Sequence, residues 1–204
     1  MQRFVLFFAL LVSFGPVAAK STVLIVGDSL SAAYGLAREE GWVALLGEKL
    51  TPRGIAVENA SISGETTAGG AARIAAELER TDPDVVVIAL GGNDGLRGLP
   101  LDALARNLAT MIGAAKDHGA RVLLVGMRIP PNYGAAYADG FANTYATLAR
   151  EHDIALLPFL LEPIAQGREA FQDDQIHPTA AAQPQLLAHL WPALEPLLGD
   201  APNP

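Results

Sequence analysis

Cysteine is absent from the 204 residues. Disulfides, thiolate metal sites and a cysteine nucleophile are therefore all excluded. The lack suits a bacterial exported protein whose core is large enough to need no covalent staples. Basic residues are few, 14 Lys and Arg against 22 Asp and Glu, and nowhere do they cluster. Such a surface repels phosphate backbones and anionic lipid, so nucleic acid is not an expected partner. Aromatic residues make up only 6%, little for a site that would stack sugars. The strand–turn–helix signature Gly-x-Ser-x-Gly occurs nowhere, which disfavours the α/β-hydrolase nucleophile elbow. Histidines number four. Only one of them lies outside a helical segment, so a two-histidine metal site is not available, and no metal or cofactor is expected.

One long apolar run is present, at the start. Met1-Gln2-Arg3 precedes an almost wholly apolar stretch over 4–14, and Val17-Ala18-Ala19 follows. A basic start, a short apolar core and small residues before a cut describe a secretory signal peptide over 1–19, cleaved after Ala19. The run is too short for a membrane span, which needs about 20 apolar residues. The expected product is a single domain over 20–204, in the periplasm or the extracellular medium. Without Arg3 its 13 basic residues face 22 acidic ones, a formal charge of −9. No integral membrane segment is expected after the leader, and the domain is expected to be a monomer.

Along that domain, short β-branched apolar runs over 23–26, 55–57, 85–90, 122–125 and 154–157 alternate with longer segments. The segments over 42–50, 71–79, 101–118 and 142–152 carry apolar residues at helical spacing. This alternation predicts βαβ units and a flavodoxin-like three-layer α/β/α sandwich around a central parallel five-stranded sheet. A last helix over 180–198 contains Pro184 and Pro192 and should kink or break.

In a doubly wound sheet, sites form beyond the carboxyl ends of the strands. Polar junctions stand at those places here. Gly27-Asp28-Ser29 follows the first run, Asn59-Ala60-Ser61-Ile62-Ser63-Gly64-Glu65 the second, and Gly91-Gly92-Asn93-Asp94-Gly95 the third. Asp173-Asp174-Gln175-Ile176-His177-Pro178 lies near the C-terminus. Asp28 or Ser29 alone could be a helix cap. Acyl transfer, however, needs a nucleophile, a base, an orienting group and oxyanion donors. His118 and His152 end helical segments, where a cation suits the dipole, and His189 falls inside the last helix. His177 follows Asp174 by three residues in a loop. That spacing lets the carboxylate reach Nδ1 and leaves Nε2 for a serine hydroxyl. Asp173 has the poorer reach. The candidate triad is Ser29, His177 and Asp174, with Gly27 as a hinge and Asp28 bracing the loop.

Gly27-Asp28-Ser29-Leu30, Gly64, Gly92-Asn93-Asp94 and Asp174-x-x-His177 together resemble, in order, the four blocks of the GDSL or SGNH hydrolase family. Gly91 to Gly98 and Pro131-Asn132-Tyr133-Gly134 are most similar to its bacterial periplasmic branch of thioesterases, lysophospholipases and arylesterases. The resemblance implies a Ser29 nucleophile, a His177 base and an Asp174 orienting carboxylate. It further implies an oxyanion hole from the Ser29 and Gly64 backbone N–H groups and the Asn93 side-chain amide, with no cofactor. Two residues depart from the pattern: Glu65 stands where relatives usually carry Asp, and Gln175 where Gly is common. The expected substrate is a small-molecule ester or thioester with an apolar, moderately long acyl group. Leu30, Leu96, Ile129, Pro130 and Tyr133 are the candidate substrate contacts, because the 127–134 stretch is apolar and semi-rigid. Two other readings stay open, a carbohydrate O-acetylesterase on the same scaffold and a non-catalytic flavodoxin-like binding module.

Overall fold

The computed structural model of the chain describes residues 21–199. The expected leader over 1–19 lies outside the described residues. Five strands form one parallel sheet in the order β2-β1-β3-β4-β5. They are β1 (Thr22–Gly27), β2 (Ala56–Asn59), β3 (Val85–Ala89), β4 (Arg121–Val125) and β5 (Ala155–Leu157). The helices are α1 (Trp42–Leu50), α2 (Thr67–Thr81), α3 (Gly92–Leu96), α4 (Leu101–Asp117), α5 (Ala135–His152) and α6 (Gln183–Leu194). The strand order reverses at β1 and β3, so the crevice at their carboxyl ends is the switch point where such folds place a site.

Side chains alternate across β1 with period two and so divide the core. Val23 and Ile25 pack with Trp42 and Leu46 of α1 and Leu186 and Leu190 of α6. Leu24 and Val26 pack with Ile74 of α2, Leu108 and Met111 of α4, and Phe141 of α5. Burial of each such side chain contributes about 2 kcal/mol. The strand ends that carry the polar junctions are thereby fixed on both faces. No helix among the described residues is long and apolar enough to cross a membrane.

Two helices start earlier than the sequence expectation of 71 and 142. Helix α2 begins at Thr67 and α5 at Ala135, and each runs through glycine. A Cβ on Gly70 would lie 2.4 Å from Leu90 Cδ1, and one on Gly140 would lie 2.7 Å from Leu101 Cδ1. Close helix packing, not chain reversal, therefore explains these two residues. The C-terminal segment does break. A 3-10 turn over Ala180–Ala182 leads into α6, and another follows over Glu195–Leu197. Pro184 falls in the first turn of α6, where its missing N–H costs nothing, whereas Pro192 lies inside it, two residues from its end.

Candidate active site

At the end of β1, Ser29 sits in a tight turn closed by the N–H groups of Ser31 and Ala32 on the Asp28 carbonyl, at 3.1 and 3.0 Å. Asp28 is buried, and its Oδ1 accepts the Leu30 N–H at 3.0 Å. The loop is tied down from behind as well, because Trp42 Nε1 donates to the Leu30 carbonyl at 3.1 Å. Gly27 corrects one expectation. Its backbone is not in the left-handed region, and what requires glycine is space. A Cβ there would meet Ser31 Oγ at 2.7 Å and Ser61 Oγ at 2.9 Å. It allows close approach and is not a conformational hinge.

His177 reaches Ser29 from the far end of the chain, with Nε2 2.8 Å from Ser29 Oγ. Its Nδ1 is 2.6 Å from Asp174 Oδ2. The other Asp174 oxygen accepts the backbone N–H groups of Ile176 and His177 at 2.9 and 3.0 Å. Those bonds, the His177 N–H first and its ring second, pull the Asp174 carboxyl down to about 2. The carboxylate therefore stays ionised wherever the imidazole can work. Around it the loop closes on itself, with a bridge between Phe171 and Pro178 and the Gln172 N–H on the His177 carbonyl at 2.8 Å. Gln175 occupies the left-handed region at φ 58°, a strained place for any residue but glycine. Its side chain offsets the strain through Arg168 Nε at 3.0 Å and the Gln172 carbonyl at 3.0 Å. Tyr34 lies against the imidazole with ring centroids 4.4 Å apart.

Two of the remaining histidines have other partners. His118 pairs with Asp82 at the surface, and His189 faces the Phe159 carbonyl at 3.0 Å.

Gly64 and Asn93 flank Ser29 across the crevice. Gly64 has φ +80°, a conformation that needs glycine although a Cβ would meet nothing within 4 Å. Asn93 is the second residue of the one-turn helix α3. Its Nδ2 donates to the Glu65 carbonyl at 3.0 Å and to Asp28 Oδ2 at 3.3 Å. Beside it, Asp94 is buried and accepts the Thr67 N–H at 2.8 Å, which fastens the start of α2 to α3. The longer side chain of Glu65 folds back to pair with Arg73 of α2, Oε1 lying 2.9 Å from Nε. That pair anchors the loop on which Gly64 sits.

A cavity of about 450 Å³ opens beside this group. Ser29, Gly64, Asn93 and His177 are among the residues that line it. Leu30, Leu96, Ile129 and Pro130 line it as well, whereas Tyr133 is not among its lining residues. The Tyr133 hydroxyl instead donates to the Leu96 carbonyl at 3.1 Å, linking the 127–134 stretch to the end of α3. Sequence reasoning missed the further lining residues Phe159, Leu161, Ala165, Phe171 and Ile176. Of these, only Ile176 belongs to a polar junction. Only the adjacency of β5 to β4 brings the loop after β5 to the site.

A parallel sheet presenting serine, histidine and aspartate in hydrogen-bonding sequence at its carboxyl edge defines a serine hydrolase. Comparison with known proteins specifies which. The profile of the GDSL-like Lipase/Acylhydrolase family matches residues 25–183. Esterase TesA of Pseudomonas aeruginosa is 51% identical over 183 residues, covering 89% of this chain and 91% of that protein. Thioesterase 1/protease 1/lysophospholipase L1 of Escherichia coli is 41% identical over 181 residues, covering 89% of this chain and 86% of its own length. A crystal structure of TesA superposes with a TM-score of 0.84 at 50% identity, covering 87% of this chain and 100% of that one. The chain belongs to the GDSL-like lipase/acylhydrolase family and is a serine esterase of that family.

Proposed function

We propose that this esterase hydrolyses carboxylic esters and thioesters of apolar acyl groups through an acyl-enzyme on Ser29. Aryl esters, acyl thioesters and lysophospholipids are its substrate classes. The observation that carries the reading is the unbroken chain from Ser29 Oγ through His177 to Asp174, at 2.8 and 2.6 Å, beside an apolar-walled cavity. Ser29 Oγ attacks the acyl carbonyl carbon while its proton passes to His177 Nε2. Asp174 holds the ring in the tautomer that bears its hydrogen on Nδ1 and stabilises the imidazolium. The oxyanion meets the backbone N–H groups of Ser29 and Gly64 and the Asn93 amide. Collapse expels the alkoxide or thiolate, which takes the proton from Nε2. Water then repeats the sequence on the acyl-enzyme, and the acid leaves.

The printed names of the relatives, an esterase and a thioesterase/lysophospholipase, support these substrate classes. Apolar side chains along the cavity favour an acyl chain over a sugar. The proposal also has residues 1–19 removed on export, so that a monomer starting at Lys20 works in the periplasm or the extracellular medium. N-terminal sequencing and sizing of the exported protein check that part.

The test is hydrolysis of p-nitrophenyl esters from acetate to palmitate by wild type and Ser29→Ala. Activity on medium and long chains, lost about 10⁴-fold or more in the variant, is expected. Equal rates would overturn the proposal, and activity confined to acetate would favour a carbohydrate O-acetylesterase.

A further inference from the structure

The Asn93 amide nitrogen carries two hydrogens, and both are engaged. One goes to the Glu65 carbonyl at 3.0 Å and the other to Asp28 Oδ2 at 3.3 Å. The Glu65 carbonyl can only accept, so it is the nitrogen of the amide, not the oxygen, that faces it. No third hydrogen remains for an oxyanion, so one of the two bonds must be shared or given up during catalysis. The Glu65 bond is the shorter, and its loop is held by the Glu65 pair with Arg73 and by the Glu65 N–H on the Ile62 carbonyl at 3.1 Å. The bond to Asp28 lies at the long edge of the hydrogen-bond range, and it is the one that yields.

Asp28 is placed for this work. Its Oδ1 holds the N–H of Leu30, the residue after the nucleophile, while its Oδ2 touches the amide of the oxyanion donor. One carboxylate thus joins the loop after β1 to helix α3. Gly92 lets it lie close, since a Cβ there would sit 3.3 Å from Asp28 Oδ2.

We propose that Asp28 is the positioning residue of the oxyanion hole: its carboxylate clamps the Ser29 loop to α3 and aims the Asn93 amide, which swings from Asp28 to the oxyanion as charge develops. The inference rests on the reading of Asn93 as an oxyanion donor. The ionisable groups whose fields Asp28 shares are His177, which favours its charged form, and the buried Tyr145 hydroxyl, whose ionisation its charge opposes. Asp94, on the same helix as Asn93, acts on Tyr145 in the same sense. Burial dominates over these and pushes the Asp28 carboxyl up to about 6.

Two readouts test the clamp. The side-chain amide of Asn93 is followed by NMR between pH 4.5 and 8 in the wild type and in His177→Ala. A titration centred near pH 6 is expected in the wild type. It should persist in the variant with a higher midpoint, because the imidazole that favours the Asp28 charge is gone. No titration, or one that disappears with His177, would overturn the proposal. In Asp28→Asn one of the two oxygens becomes an NH2 that cannot accept, so either Leu30 or Asn93 loses its acceptor. The expected result is a fall in kcat of about ten- to a hundredfold with KM within twofold. An unchanged kcat, or a rise in KM that accounts for the loss, would contradict it. The NMR titration is read without turnover, so its failure is distinguishable from failure of the esterase reading, which Ser29→Ala decides.

Discussion

The carboxyls of two aspartates at the site are shifted in opposite directions, and their environments explain why. Asp28 is 3% exposed, and burial raises its carboxyl from 3.8 to about 6 against the pull of the Leu30 N–H and His177. Asp174 lies in an open loop, and the N–H and ring of His177 lower its carboxyl from 3.8 to about 2. The consequences for stability have opposite signs. The proton on Asp28 is bound more tightly in the folded state, so its contribution is complete below pH 3.8 and is lost as pH rises through about 6. The contribution of Asp174 is present above pH 3.8 and is lost as pH falls through about 2. Urea unfolding of wild type and Asp28→Asn at pH 4.5 and pH 8 isolates the first effect. The stability of the wild type relative to the variant should fall by about 2 kcal/mol between the two pH values. A difference independent of pH would contradict the assignment of burial as the cause.

The elements around these residues are set as much by where side chains are missing as by where they pack. Gly126 follows β4, and a Cβ on it would stand 2.4 Å from the Pro158 carbonyl oxygen, a backbone atom that cannot step aside. Gly113 lies in α4, where a Cβ would meet nothing within 4 Å. Gly126→Ala should destabilise by about 2 kcal/mol or more, and Gly113→Ala should stabilise by about 0.5–1 kcal/mol. Equal effects in thermal unfolding would refute this reading. The contrast also explains what was legible in the sequence. The apolar runs that became β1, β3 and β4 stand out because both sheet faces are covered, which leaves no polar residue to interrupt them. Edge strand β2 is only partly buried and sits one to two residues from its expected place. The starts of α2 and α5 were not legible because apolar spacing is clear only beyond Gly70 and Gly140, each a point of close packing. Asp174 and His177 could be paired from spacing alone, since a three-residue turn is local. The Phe159–Ala165 wall could not, because its place depends on which strand lies beside which.

For the whole molecule, the order β2-β1-β3-β4-β5 brings the loops after all five strands to one rim. Ser29, Gly64 and Asn93 come from the first three, and two walls of the cavity, with Ile129 and Phe159, from the last two. Arg128 ties these two walls together, 3.3 Å from Glu162 and over the Phe159 ring at 5.3 Å. Substrate preference should therefore change with the loop after β4 while the chemistry stays. Replacing Ile129 and Pro130 with glycine should alter the acyl-length profile on p-nitrophenyl esters, and an identical profile would remove this stretch from the acyl site. Acylation of Ser29 is the central step of the proposed reaction. The most direct measurement is intact-mass and peptide mapping after reaction with a fluorophosphonate, for wild type and Ser29→Ala in parallel. A single adduct on the Ser29 peptide of the wild type and none on the variant is the predicted result. An adduct on another residue, or equal labelling of both proteins, would contradict it.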